Sequence, residues 1–270
     1  YCWSSATMSD VSIAIEQHFR PDEADFIQQA GDWIRQSQDE YRFILTYFLN
    51  PREQYILKTL VNRVNDLKVV FNGGIDGAES QRAIISPNFY SPELDDFELA
   101  VFEIKYPKKF TTLHHSTILG TLMHSGIKRA IIGDILNDAQ QWQIIVDKKM
   151  LAYIQQTVLT VGRTKVSLVE TTLNHAIQPK DDWEETFVLL ASLRIDTVIA
   201  TIFDLPRSVT KSLVEQQQVR LNWHTVIKPD TTVTVGDVIS VRGYGRIQPK
   251  MLDGLSKKDK IKTVVNVIRR

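Results

Sequence analysis

Apolar positions return at helical spacing through the first quarter of the chain. In "DEADFIQQAGDWIRQSQDEYRFILTYFLNPREQYILKTLVNRV", Phe26, Ile27, Ala30, Trp33 and Ile34 are followed by Tyr41, Ile44, Leu45 and Phe48 at steps of three and four. The pattern predicts a helical region from Ser9 to about Asp66, so residues 1–66 are expected to form an N-terminal helical unit. Asn50-Pro51 interrupts it, because a residue before proline avoids the helical region of backbone space, and a further helix is expected from Arg52. Packing, without chemistry, is the expected role of this part.

From Leu67 to about Thr172 the period changes. "LKVVFNGG" (67–74), "RAIISP" (82–87) and "FELAVFEIKYP" (97–107) read as strands, and "TTLHHSTILGTLMHSG" (111–126) reads as a helix closed by Gly126. "AIIGDIL" (130–136) and "WQIIVD" (142–147) predict two more strands, Lys148 to Thr157 a helix, and "GRTKVSLVE" (162–170) a last strand. Strand pairs separated by two helices are the split βαβ, ferredoxin-like order, expected over residues 67–180. The aromatic signature by which such sheets bind RNA is not found.

"IQPKDDWEET" (177–186) breaks the periodic pattern and marks a boundary. Beyond it, Ile195, Val198, Ile199 and Ile202 fall on one helix face. Pro206 suits the opening of a second helix, in which Val209, Leu213 and Val214 are expected inside and Arg207 and Lys211 share the outer face. "QVRLNW" and "TVIKP" predict short strands and "VISVRG" closes a compact α/β unit over 187–247, with a basic tail over 248–270. The expected class is α+β: a helical N-terminal region, a ferredoxin-like middle domain and a C-terminal α/β domain.

Charge sharpens this division. The 270 residues carry 32 basic and 32 acidic side chains, yet Thr186 to Arg270 holds 14 Lys and Arg against 7 Asp and Glu. The remainder is correspondingly acidic. A basic end on an acidic body points to a polyanion-binding module, the alternative being a merely solvated tail at "SKKDKIK" (256–262) and Arg269-Arg270. Cys2 alone excludes a disulfide framework or a multi-cysteine metal site, and no apolar run reaches the ~20 residues of a membrane span. The first residues lack a secretory pattern, and Met8 reads as a natural start with Tyr1 to Thr7 as an artificial leader. A cytoplasmic protein is expected.

"VGDVISVRGYGRIQPK" (235–250) carries the sharpest signal. Val235, Val238, Ile239 and Val241 suit a half-buried strand, yet Arg242, Arg246 and Lys250 sit beside glycines and a proline, either as solvated residues or aimed at an anion. Read together with Arg194-Ile195-Asp196, Arg207-Ser208, Val219-Arg220-Leu221-Asn222 and Gly236-Asp237-x-Ile239, this stretch resembles the S-four domain, a small RNA-binding fold, over residues 187 to 243. Two positions depart from that pattern: Gln217 and Trp223 stand where the family usually has glycine, and each brings backbone strain of ~1 kcal/mol or more if φ is positive there.

The whole order, with "GIKRAIIGDI" (126–135) in the middle and "SVRGYGR" near the end, resembles the YlmH-type RNA-binding proteins. That resemblance implies RNA binding, association with the ribosome in quality control, and large subunits that still carry peptidyl-tRNA. The RNA-binding residues it points to are Arg194, Arg207, Ser208, Lys211, Arg220, Asn222, Arg242, Arg246 and Lys250. Arginine suits phosphate bidentately and lysine as a point charge. Arg194, Arg207, Lys211 and Arg220 are expected to line one side of the helix pair, and Gly243 and Gly245 to allow close backbone approach. For Arg194, a structural ion pair with Asp196 is an equal alternative.

Other constellations carry less. His114, His115 and His124 lack metalloprotease spacing, and "FNGGIDGAES" (71–80) has glycines after a strand but neither phosphate-loop lysine nor dinucleotide fingerprint. Arg163 and Lys165 read as a solvated edge strand, and Asp95-Asp96, Asp181-Asp182 and Glu184-Glu185 as loop charges. No catalytic residue, cofactor, metal, small-molecule substrate or membrane partner is called for. The leading expectation is a non-enzymatic binder of rRNA or tRNA. An RNA-modifying enzyme of pseudouridine synthase or methyltransferase type and a protein-interaction adaptor are its competitors.

Overall fold

The computed structural model describes residues 19–138, 141–179 and 182–269. Ser9 to His18, Cys2, Met8, Asp181 and Arg270, which entered the expectations above, lie outside the described residues. The chain is α+β, as its pattern predicts, and no helix among the described residues is long and apolar enough to cross a membrane.

Helix α1 (Ala24–Glu40) buries Ala30 and Ile34 and stops where Tyr41 turns left-handed at φ 52°. The next segment is not helical: β1 (Ile44–Leu49) is a strand. Its apolar positions fit both periods, but Ile44, Thr46 and Phe48 are buried on alternation, and the β-branched and aromatic content of "ILTYFL" favours the pleated form. A bulge between Leu45 and Phe48 leaves one ladder amide to the side chain, so Ala83 N–H donates to Thr46 Oγ1 at 2.9 Å. Helix α2 (Pro51–Val61) opens with proline at its first position. Asn50 caps it by a reciprocal box with Glu53, at 2.9 and 2.8 Å.

Strands β2 (Leu67–Asn72) and β3 (Gln81–Pro87) join β1 in a sheet of order β1-β3-β2, under which Ile34, Leu49, Ile56, Leu57 and Ile85 form the core. The boundary expected at residue 67 therefore falls inside one unit, because β2 and β3 complete the sheet that β1 begins.

The ferredoxin-like order then appears over β4 (Leu99–Lys105), α3 (His115–His124), β5 (Ile132–Asn137), β6 (Trp142–Asp147), α4 (Leu151–Thr157) and β9 (Ser167–Thr171), with a small hairpin of β7 (Thr160–Val161) and β8 (Thr164–Lys165) before the last strand. Sheet order β5-β6-β4-β9, all antiparallel, is the split βαβ arrangement. One face of this sheet packs under Ile118, Leu122 and Ile154 of its helices. Its other face, with Val101 and Ile145, packs on Phe48 and Ile84 of the N-terminal sheet. Both faces are thus closed.

The C-terminal unit is larger than expected. A six-stranded sheet runs β10-β15-β14-β13-β11-β12, built from β10 (Glu184–Leu190), β11 (Val219–Leu221), β12 (His224–Thr225), β13 (Ile239–Val241), β14 (Gly245–Leu255) and β15 (Ile261–Arg269). Residues 248–269 are therefore no tail: "TVVNVI" alternates Thr263, Val265 and Val267 into the core, and the lysines cluster at the hairpin's turn. Glu184 and Glu185 lie on β10 rather than in a loop. Helices α5 (Ile195–Phe203) and α6 (Arg207–Glu215) cover one face, burying Ile195, Val198, Ile199, Ile202 and Val214. Val209, expected inside, is 37% exposed, and Thr210 takes its place in the core.

Gly245 does approach another backbone closely, but the partner is its own sheet. A Cβ there would stand 1.8 Å from the carbonyl oxygen of Ile268.

Candidate nucleic-acid interface

The openings of α5 and α6 are tied by one hydrogen-bonded chain. Arg194, the residue before α5, forks onto Asp196 at 3.0 and 2.8 Å. Asp196 is buried and accepts from Thr197 N–H at 2.8 Å, and Arg207 donates to Thr197 Oγ1 at 2.6 Å. Burial opposes the charge on Asp196, yet the Arg194 fork and the Thr197 donors outweigh it and hold the carboxyl below its ordinary range. The structural reading of Arg194 is the one observed. Arg207, Ser208 and Lys211 are exposed on α6, with Lys211 a loose 3.7 Å from Glu215.

Arg220 is not with them. Val219 and Leu221 point into the core under the helices, so Arg220 stands on the opposite sheet face, in a cross-strand row with Ser240 and Arg246. Arg242 is exposed after β13 and reaches Gln218 Oε1 at 3.5 Å, while Lys250 is exposed on β14.

Two expected contacts are already occupied. Asn222 is buried. Its amide donates to Asp237 Oδ1 at 2.7 Å and its oxygen accepts from Val238 N–H at 2.9 Å, so it clamps the closing loop instead of facing a ligand. Arg246 pairs with both oxygens of Glu79, at 2.7 and 2.6 Å, and stacks 5.5 Å from the Trp183 ring. That carboxylate also accepts from Trp223 Nε1 at 2.6 Å, and Arg129 lies 4.2 Å over the Trp223 ring. Glu79 therefore joins the N-terminal unit to the C-terminal sheet through the loop that reads in sequence as a plain turn.

The strained positions are where the departures from the family pattern place them. Gln217 has φ 59° and Trp223 φ 72°. Replacing Gln217 by Gly is expected to raise stability by up to about 1 kcal/mol, since a left-handed non-glycine residue costs ~1–2 kcal/mol and glycine gives part of that back in chain entropy. Trp223→Gly is expected to lower stability despite the same relief, because the Glu79 hydrogen bond and the Arg129 stack go with the ring. Urea unfolding of both variants reads the opposite signs.

Asp134, on β5, supports the Glu79 loop by accepting from the Glu79 and Ser80 amides at 2.8 and 3.0 Å. Burial, with the Glu79 charge added, pushes its carboxyl up to about 6 against the opposing amides and Arg129. The folded state then holds a proton the unfolded chain has released, so this group's contribution to stability falls as pH rises from about 4 to about 6. Asp134→Asn is expected to flatten that part of the pH profile by roughly 2–3 kcal/mol, read as the difference between wild-type and variant unfolding free energies at pH 4 and pH 7.

Among the described residues no group of three or more His, Cys, Asp or Glu side chains is placed to hold a metal ion. The elements define a three-unit α+β protein in which two sheet units hold a cation-rich C-terminal unit through side-chain ties. The chain belongs to the YlmH family. Residues 22–90 match the family model described as "YlmH, N-terminal" and residues 92–175 the one described as "Putative RNA-binding domain in YlmH", a division that coincides with the two sheets seen here. A relative from Bacillus subtilis (strain 168), "Ribosome-associated protein quality control protein P2", is 39% identical over 246 residues, covering 91% of this chain and 95% of that protein. The solved structure "Cell division protein ylmH from Streptococcus pneumoniae" is 34% identical with a TM-score of 0.53, over 60% of this chain and 98% of that one.

Proposed function

We propose that this protein is a non-enzymatic RNA binder that works on the ribosome in the cytoplasm. In this reading its C-terminal unit is an S-four-type module that engages ribosomal RNA and tRNA on the large subunit, including subunits that still carry peptidyl-tRNA. One observation carries the reading. Arg207, Arg220, Arg242 and Lys250 are all exposed, and none has a carboxylate partner among the described residues. Cations left unpaired on a folded surface fit a phosphate backbone, which is held mainly by such charges. The family's RNA-binding description and the relative's ribosomal name support the same partner.

The test is co-sedimentation of the full chain with separated ribosomal subunits through sucrose at two salt concentrations. Binding to the large subunit that weakens with salt is expected. Protein that stays at the top of the gradient at both concentrations overturns the ribosomal part of the reading.

A further inference from the structure

Two segments of the middle unit contain no acidic residue at all: Ile104 to Gly133 and Lys148 to Val169. Together they hold nine lysines and arginines, in the part of the chain that is otherwise acidic. They are the two crossovers of the ferredoxin-like order, and both helices they carry lie on one side of the sheet. Since the sheet's other side is packed against the N-terminal unit, no open β surface remains for bases to stack on. Any nucleic-acid contact by this unit has to come from its loops or from the outer faces of its helices.

The register puts two of those loops together. Lys105 at the end of β4 pairs with Ser167 at the start of β9, so the chain after β4 and the chain before β9 emerge side by side. Thr111 Oγ1 and Thr164 Oγ1, 3.3 Å apart, clip them to each other. The first loop is a tight turn, with Lys108 N–H on Tyr106 O at 2.8 Å and Phe110 N–H on Pro107 O at 3.0 Å. At its tip Phe110 is 88% exposed, the most exposed of the large apolar side chains among the described residues. Lys108 and Lys109 precede it, and Arg163 and Lys165 stand on the facing hairpin. All four are exposed, and none has a carboxylate partner among the described residues.

The geometry points to this tip, Lys108, Lys109 and Phe110 with Arg163 and Lys165, as an RNA contact that takes an unpaired nucleotide against the Phe110 ring. An aromatic ring left in water forgoes its burial, and stacking a base on it is worth ~1–3 kcal/mol per base. Four surrounding cations supply the backbone attraction that a purely apolar protein contact would not need. Unpaired bases are the parts of RNA that can be splayed onto a ring, whereas a duplex hides them. This inference rests on the RNA-binding reading above and adds a second contact, outside the C-terminal unit.

The test measures binding of the full chain to a fluorescein-labelled stem-loop RNA and to the same strand annealed to its full complement. Phe110→Ala is expected to lose about 10-fold on the stem-loop and little on the duplex, and Phe110→Tyr to retain binding. Lys108→Glu with Lys109→Glu is expected to weaken both probes and to make the salt dependence on the stem-loop shallower by about 1.4 in log–log slope, at ~0.7 per phosphate contact of an unpaired strand. Phe110→Ala binding the stem-loop as tightly as wild type overturns the inference and leaves the RNA-binding reading standing. Wild-type protein that binds neither probe overturns both.

Discussion

Asp237→Ala is expected to cost the fold about 3–5 kcal/mol, because it removes a buried charge partner of Arg20 and at once leaves the buried Asn222 and Thr234 donors without their acceptor. The carboxylate is inaccessible to solvent. One of its oxygens accepts from Arg20 at 2.6 Å and from Thr234 N–H at 2.8 Å; the other accepts from the Asn222 amide at 2.7 Å and again from Arg20 at 3.2 Å. Burial alone works against the Arg20 charge, but Asp237 and its acidic neighbours more than offset it and hold the guanidinium above its ordinary value. Without Asp237, the Arg20 side chain keeps only Asp22 and Glu23 as acidic partners, and the amide of Asn222 loses its acceptor. Asp237→Asn keeps an acceptor oxygen for the loop and removes the charge, so a smaller loss is expected. Urea unfolding at neutral pH measures both. A loss below about 1 kcal/mol for the alanine variant would show the tie to be no stronger than a surface ion pair.

The same residue shows what sequence can and cannot carry. Gly236-Asp237 is legible as a motif because its turn is local: the φ of 87° at Gly236 and the Asp237 bonds to Thr234 and Asn222 all lie within the unit. That it also docks the unit on Arg20, and that a Cβ at Gly236 would meet Tyr55 at 2.8 Å, is not legible, since those partners lie far away in the chain and no periodicity links them. Glu79 is the clearest miss of this kind. It sits in a glycine-bearing turn with nothing in its spacing to mark it, yet it receives both Trp223 and Arg246. In sequence Arg246 reads as a ligand contact for the complementary reason: its own strand shows an exposed alternation, and only the folded chain reveals the carboxylate opposite.

Local pattern succeeded where one period fits a segment. "WQIIVD" is a strand over its full predicted range, and Ile195, Val198, Ile199 and Ile202 share the buried helix face expected of them. It failed where two periods fit, as at Ile44 to Phe48, and where charge hid alternation, as in the lysine-rich hairpin of β14 and β15. The candidate site was legible as a set of residue types. Its geometry was not: Arg220 alternates to the far side of a sheet whose near side is claimed by the helices, so the cations thought to share one face are divided between two.

That division makes charge reversal on the helix face the more discriminating binding test. Arg207→Glu with Lys211→Glu is expected to lower affinity for ribosomal RNA by two to three orders of magnitude. The estimate takes each side chain as one phosphate contact, replaced by a repulsive charge, with the salt slope shallower by about 1.8 at ~0.9 per contact. The fold should lose little. Lys211 sits 3.7 Å from Glu215 at the surface, and turning that pair into like charges on one helix face costs only a few tenths of a kcal/mol. Arg207→Glu also gives up the hydrogen bond to Thr197, so unfolding of the variant is measured alongside binding. Arg194→Ala serves as the contrast: its guanidinium is committed to Asp196, and its loss is expected to appear in stability, with the salt slope unchanged. Equal affinity and equal slope for the reversed variant and wild type would remove α6 from the interface. The exposed cations outside the helix pair, Arg220, Arg242 and Lys250, would then be left as the phosphate contacts of the C-terminal unit.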